Sequence, residues 1–287
     1  MRRLLAILLV LGALGACRAS GSNNNASLDV VANFYPMAFA AQQIGGSRFS
    51  VTNLTPVGVE PHDVELSTKD IDHLDSANLL LYMGGGFQPA VAKAARDAHH
   101  AVDVAASLDL VRNDPHFWLD PTLMTKAVDV ITSALIAADR KGTEHYLARA
   151  AALKEQLTQL DADYRSTLSH CARREIVTTH AAFGYLARRY GLTQLSIAGM
   201  SPEAEADPKH LAELTDLVRR DGIVTIFSEE LVPPALADTL AREAHVQTAV
   251  LSPLEGLTKD EQQAGDTYFT VMRRNLAALK SALGCAA

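Results

Sequence analysis

Three histidines stand far apart in the chain, each in a short loop that follows an apolar run. They are His62 in Val59-Glu60-Pro61-His62-Asp63, His116 in Asp114-Pro115-His116-Phe117-Trp118-Leu119-Asp120-Pro121, and His180 in Val177-Thr178-Thr179-His180-Ala181-Ala182-Phe183. A neutral imidazole is a borderline-soft nitrogen donor, and three of them converging on one point suit a divalent transition metal, zinc above all. Their spacing fits no local zinc finger, so a shared site must be assembled by the tertiary fold. The remaining histidines (His73, His99, His100, His145, His170, His210 and His245) lie in polar helical or loop contexts with no evident role.

The elements that must position these loops alternate in type. In the first half, 28–33, 49–54, 78–83 and 101–105 read as strands, with helical runs at 36–44, 68–76 and 88–98. The second half repeats the plan, with strands at 175–179, 195–198, 223–227 and 246–251 and helices at 183–190, 207–220, 233–244 and 267–283. Such alternation predicts mainly parallel sheets covered by helices. Between the halves, 143–170 contains no Gly or Pro, and Tyr146, Ala150, Leu153, Leu157, Leu160, Tyr164 and Leu168 recur every three or four residues. That stripe predicts one helix of about 28 residues, roughly 42 Å long. The expected class is therefore α/β: two β/α domains joined by a long rigid linker helix, with the metal site in the interdomain cleft. The expected boundaries are 28–142 for the first domain, 143–172 for the linker helix and 173–287 for the second domain. His62 follows the second strand, His116 the fourth and His180 the first strand of the second half. Ligands of open α/β sheets bind beyond the carboxyl ends of strands, so two facing domains would bring all three loops into one cleft.

The N-terminus combines Arg2-Arg3, an apolar run over 4–14 and the small residues of Leu14-Gly15-Ala16-Cys17. This reads as a secretory signal over 1–17, with Leu-Gly-Ala-Cys resembling a bacterial lipobox in which Cys17 is lipidated. The alternative is an ordinary signal with an incidental cysteine. Residues 18–27 read as a flexible tether, and no later segment reads as a membrane span. Cys171 and Cys285 remain; in an exported chain they most simply form one disulfide, the alternative being two free thiols. Neither belongs to a Cys-x-x-Cys pair. The formal net charge of -7 disfavours nucleic-acid binding, which needs a clustered basic face.

The layout resembles the zinc and manganese solute-binding lipoproteins of bacterial metal ABC transporters over nearly the whole mature chain. The segment from Gly58 to Asp63 is similar to the first ligand loop of that family, and Asp114 to Pro121 to its most specific motif. His180 to Tyr185 resembles the third ligand segment, while Ile226-Phe227-Ser228-Glu229 and Gly265-Asp266-Thr267-Tyr268 match further signatures. The resemblance implies metal held between two β/α domains by His62, His116 and His180. The chain departs from the family twice. Only 109–113 precedes the Asp-Pro-His segment, leaving no room for the His/Asp-rich loop of many zinc members, and Ser252 stands where many members carry an Asp ligand. The fourth ligand is then water or a carboxylate such as Glu230, with Glu229 and Glu255 as further candidates.

Nitrogen donors favour Zn2+ over Mn2+, whose receptors place a Glu where His180 stands. The expected function is that of an extracytoplasmic, lipid-anchored, monomeric receptor. It captures Zn2+ and delivers it to an ABC permease, with ATP hydrolysis on a partner subunit. A manganese receptor and a surface adhesin are the alternatives. A zinc hydrolase fits less well: no His-Glu-x-x-His segment exists, and ligands spread over two domains suit hand-over better than turnover. Trp118 and Phe117 read as core support, and Asp120 and Asp63 either as imidazole acceptors or as helix caps. Glu203 and Glu205 read as a solvated acidic loop.

Overall fold

The computed structural model describes residues 28–62, 64–98, 100–111, 114–204 and 207–286. Cys17, the tether, Asp63, His99 and Glu205 lie outside the described residues. The first half contains β1 (Val30–Ala32), α1 (Tyr35–Gly45), β2 (Val51–Asn53), α2 (Thr68–Ser76), β3 (Leu79–Tyr82), α3 (Pro89–Ala94) and β4 (Ala101–Asp103), followed by α4 (Pro121–Ala138). The long helix α5 (Thr143–Leu168) leads to β5 (Glu175–Thr178), α6 (Gly184–Tyr190), β6 (Thr193–Ser196), α7 (Pro208–Arg220), β7 (Thr225–Ser228), α8 (Ala235–Ala244), β8 (Gln247–Val250), α9 (Lys259–Ala264) and α10 (Tyr268–Leu283).

Each half builds a four-stranded, all-parallel sheet, in the orders β2-β1-β3-β4 and β6-β5-β7-β8. The two orders are the same topology. The chain reverses its direction of winding between β1 and β3, and again between β5 and β7. Such a switch point leaves a crevice at the carboxyl ends of the two central strands. Those central strands are the buried ones, as a sheet covered on both faces requires: Val30, Val31 and Ala32 in β1 and Ile176, Val177 and Thr178 in β5 are all shut off from solvent.

The linker matches its periodicity: α5 buries Tyr146, Ala150, Leu153, Leu157, Leu160, Tyr164 and Leu168 and no other residue. It packs on α1 and α4 of the first half and on α6 and α10 of the second, and the Tyr164 hydroxyl donates to the Met272 carbonyl at 2.7 Å. One apolar cluster runs without a break from Val30 and Phe34 through α5 to Tyr268 and Leu283. Smaller clusters under α2 and α3, and under α7 and α8, cover the outer sheet faces. The disulfide expected from composition joins Cys171 to Cys285, 114 residues apart, and fastens the end of α5 to the end of α10.

Helix α4 is absent from the sequence-derived elements, although Asp120-Pro121 opens it as Asp207-Pro208 opens α7. Asp120 Oδ1 accepts from the Thr122 amide at 2.8 Å, and Pro121 takes the first helical position. By length and composition α4 could cross a membrane, which corrects the expectation that no later segment could. Its apolar face is instead committed to the core through Met124, Ala127, Val128, Ile131 and Leu135.

Candidate metal centre

Each histidine is carried by backbone that local chemistry fixes. His116 lies one residue before a short 3-10 turn (Phe117–Leu119) that feeds α4. Asp114 turns back on it, accepting from the His116 amide at 3.1 Å and from ring Nδ1–H at 3.1 Å. Trp118 is wholly buried and donates from Nε1 to the Pro253 carbonyl at 2.8 Å, tying this segment to the loop after β8. His180 leaves the end of β5. Its amide donates to Glu229 Oε1 at 3.1 Å and its Nδ1–H to Glu229 Oε2 at 2.7 Å, while Gln194 Nε2 donates to its carbonyl at 2.9 Å. Glu229 itself follows β7, so His180 and Glu229 face each other across the switch point of the second sheet. His62 leaves the loop after β2; its amide donates to Glu60 Oε2 at 2.9 Å, and Phe87 packs edge-on against its ring with centroids 4.6 Å apart.

The three loops converge. His62, His116, His180 and Glu255 each offer one donor atom, and all four atoms lie within 4.8 Å of one another. Glu255 Oε1 stands 3.0 Å from His116 Nε2, 3.2 Å from His62 Nε2 and 3.6 Å from His180 Nε2, and His116 Nε2 is 3.4 Å from His180 Nε2. A regular tetrahedron with zinc–donor bonds of about 2.0–2.1 Å has edges of about 3.3–3.4 Å. Four of the six donor separations, at 3.0 to 3.6 Å, therefore already approach the edges that a tetrahedral ion requires, and all six stay within 4.8 Å. His116, His180 and Glu255 are buried, and the His62 side chain keeps 10% of its surface exposed.

Of the candidate carboxylates, Glu255 is the one that stands with the three histidines, and Glu230 is not in that group. Glu230 faces Ser252, and burial pushes its carboxyl up to about 7. Ser252 is spent on the local turn: its Oγ accepts from the Leu254 amide at 3.2 Å, and Asn275 holds its amide and carbonyl at 2.9 and 2.7 Å. Leu254 has φ of 55°, a left-handed conformation unusual for a branched side chain, and this turn reverses the chain to aim Glu255 inward. No local pattern marks Glu255; the available signal was only an acid in the loop after the last strand of the second sheet. The imidazole acceptors are likewise Asp114 and Glu229. Asp120 is the cap of α4, and Asp63 lies outside the described residues. The described remainder of the histidines is structural or exposed, with His73 against Asp29, His145 on the Gly45 carbonyl and His210 on the Ser196 carbonyl.

The charges are strongly coupled. Burial alone would raise Glu255, but hydrogen bonds from His116, His180 and His62 outweigh it and hold the carboxyl well below its usual range. Burial would lower His180, yet Glu229 and Glu255 carry it up to about 10. His116 is raised against its own burial by Asp114 and Glu255. Burial and the Glu255 charge push Glu60 up to about 8. Asp114 and Glu229, by accepting at Nδ1, fix which nitrogen is free: Nε2 of both rings points at the common centre. The site thus gathers three imidazoles around one carboxylate, a donor set that a divalent cation can occupy in competition with protons.

Residues 30–282 match the family model described as the periplasmic component A of the zinc-uptake complex, ZnuA. The chain is 39% identical over 286 residues to the zinc-binding protein AdcA of Streptococcus pyogenes serotype M3, covering 88% of this chain and 55% of AdcA; it spans about half the length of such AdcA relatives. It is 36% identical over 303 residues to the high-affinity zinc uptake system protein ZnuA of Bacillus subtilis, covering 97% of this chain and 95% of that protein. The crystal structure of the Zn(II)-bound ZnuA-like domain of Streptococcus pneumoniae AdcA superposes with a TM-score of 0.80 at 37% identity, covering 90% of this chain and 99% of that one. With its fold, its converging histidine loops and these likenesses, the chain belongs to the ZnuA family of zinc-uptake complex components.

Proposed function

We propose that this protein is an extracytoplasmic receptor that binds one Zn2+ through His62, His116, His180 and Glu255 and delivers it to an ABC permease powered by a separate ATPase subunit. The observation that carries this reading is the convergence of three imidazole nitrogens and one carboxylate oxygen within 4.8 Å of one another, four of their six separations being 3.0 to 3.6 Å. Three nitrogens and a single oxygen favour zinc over manganese, which prefers oxygen-rich octahedral sites. Four protein donors also leave no corner for an activated water, the position that a catalytic zinc site keeps open. Capture and release fit this donor set better than hydrolysis. The names of the relatives support the cargo, and the family description supports a place in the cell envelope.

Lipidation of Cys17 would hold the receptor at a membrane face, acting as a monomer beside its permease, since acyl chains contribute about 0.8 kcal/mol per buried methylene. The domain division at 28–142, 143–172 and 173–287 belongs to the same reading: each sheet contributes loops to one cleft, and α5, packed against both halves, resists wide hinge bending. Small loop movements then release the ion. Metal analysis with manganese competition, on the protein and on His116→Ala, tests this proposal. One zinc per chain that resists excess manganese and weakens in the variant is expected; preferential manganese retention, or no metal at all, would overturn it.

A further inference from the structure

The two sheets share one topology, and each has a polar pair at its switch point. In the second sheet the pair is His180 with Glu229. In the first it is Asn33, just after β1, with Gln88, beyond β3: Asn33 Nδ2 donates to Gln88 Oε1 at 2.7 Å, both side chains fully buried. Gln88 Nε2 donates in turn to Thr55 Oγ1 at 3.0 Å and to the Pro61 carbonyl at 2.9 Å. The Thr55 hydroxyl donates to the Asn33 carbonyl at 2.8 Å. Pro61 is the residue before His62, so one buried carboxamide ties the ends of β1 and β2 to the loop that carries this histidine. The adjacent Phe87 supplies the ring that packs on His62. Gly85 and Gly86, with φ of 73° and 93°, make the turn that sends Phe87 and Gln88 inward.

His62 depends on this support more than the other two rings do. His116 and His180 are fixed directly by Asp114 and Glu229 at Nδ1. Among the described residues, His62 has no carboxylate at its Nδ1, and its side chain is the one of the four with solvent access beyond a trace. Apart from the Glu255 contact at Nε2 that all three rings share, its placement rests on its amide contact with Glu60, on Phe87 and on the anchored Pro61.

We infer that Gln88 is the positioning residue for His62, acting through the loop backbone as Asp114 and Glu229 act through the imidazole nitrogens, and that it sets how long zinc is held. The inference rests on the zinc-receptor reading above. Removing the carboxamide leaves the Pro61 carbonyl without its donor inside the protein, and a buried polar group left unpaired drives local rearrangement. The loop then moves while His116, His180 and Glu255 still capture the ion, so the defect falls on release.

Zinc dissociation into a chromophoric chelator, measured on the purified protein, Gln88→Leu, His62→Ala and the double variant, tests this. Wild type and Gln88→Leu should each bind one zinc, with release from Gln88→Leu faster by about 10- to 100-fold, the range for outer-shell partners of metal ligands. In the His62→Ala background Gln88→Leu should add nothing. Thr55→Val, which removes one contact of the network, should shift release less and in the same direction, and it serves if Gln88→Leu does not fold. Tyr164→Phe, which removes a buried hydrogen bond in the linker, should leave release unchanged. Equal release rates for wild type and Gln88→Leu, or equal acceleration with and without His62, would overturn the inference while leaving the receptor reading intact. A wild-type protein that binds no zinc would overturn both.

Discussion

The two sheets are wound identically, yet their switch points carry different chemistry. In the second, the pair is His180, one of the four candidate metal donors, with Glu229 behind its ring at Nδ1. In the first, a neutral amide pair, Asn33 and Gln88, stands one step back and holds a loop. The difference follows from what each crevice must bury. An imidazole raised to about 10 beside Glu229 is tolerable because its counter-charge is in contact; a breakable pair of this kind makes a strong but demanding ligand mount. The amides carry no charge, so they fix geometry at a lower desolvation cost. One side of the centre is therefore rigid and dry, and the His62 side is lighter and partly open to solvent.

Loss of a whole ligand should break this contrast most sharply. Structural zinc sites bind with about 10–16 kcal/mol, so one donor in four is worth roughly 2.5–4 kcal/mol, about 100- to 1,000-fold in affinity. His180→Ala should fall at the upper end, because it also strands Glu229 in the interior, and His62→Ala at the lower end, because water can reach the vacated corner. Chelator competition measures both, and the reverse order would refute the contrast. Next come the carboxylates behind the rings: Glu229→Gln and Asp114→Asn should each weaken zinc by about 10- to 100-fold, whereas Glu230→Gln, outside the donor group, should leave affinity within about threefold of wild type.

A smaller effect per step comes from protons. With His180 raised to about 10, the metal-free ring is protonated at pH 7 and zinc must displace that proton. Affinity should then climb about tenfold per pH unit from pH 7 to 9. The same raised pKa stabilises the metal-free fold fully below the unfolded value of about 6.5, and this contribution is lost as pH rises through about 10. Isothermal titration in buffers of different ionisation heat counts the released protons; a flat profile would contradict the coupling. The smallest effect separates the two aspartates of one motif. Asp120→Ala should cost about 1 kcal/mol of stability through the lost cap of α4 and leave zinc affinity unchanged.

Much of this arrangement was legible because it is local. The seven apolar positions of α5 follow one helical stripe, and α2 begins and ends where its pattern does, behind the capping box of Ser67 and Asp70. The histidine loops were legible because all three follow strands that end at one cleft. What escaped was tertiary. Helix α4 carries a start signal, but its residues are apolar enough to blur the helical stripe. Glu255 is aimed by the left-handed turn at Leu254 and by Asn275 from α10, neither of which leaves a mark in the spacing of nearby residues. Asp114 and Asp120 flank His116 in one motif; only the fold shows that the first supports the ring and the second caps a helix.

The most direct test of the account is X-ray absorption spectroscopy at the zinc edge on the loaded protein, beside Glu255→Ala. The account predicts four donors at about 2.0–2.1 Å with the multiple-scattering signature of three imidazoles, and replacement of the carboxylate oxygen by water in the variant. A six-coordinate, oxygen-rich first shell, or a fourth donor unchanged in both spectrum and affinity when Glu255 is removed, would contradict it.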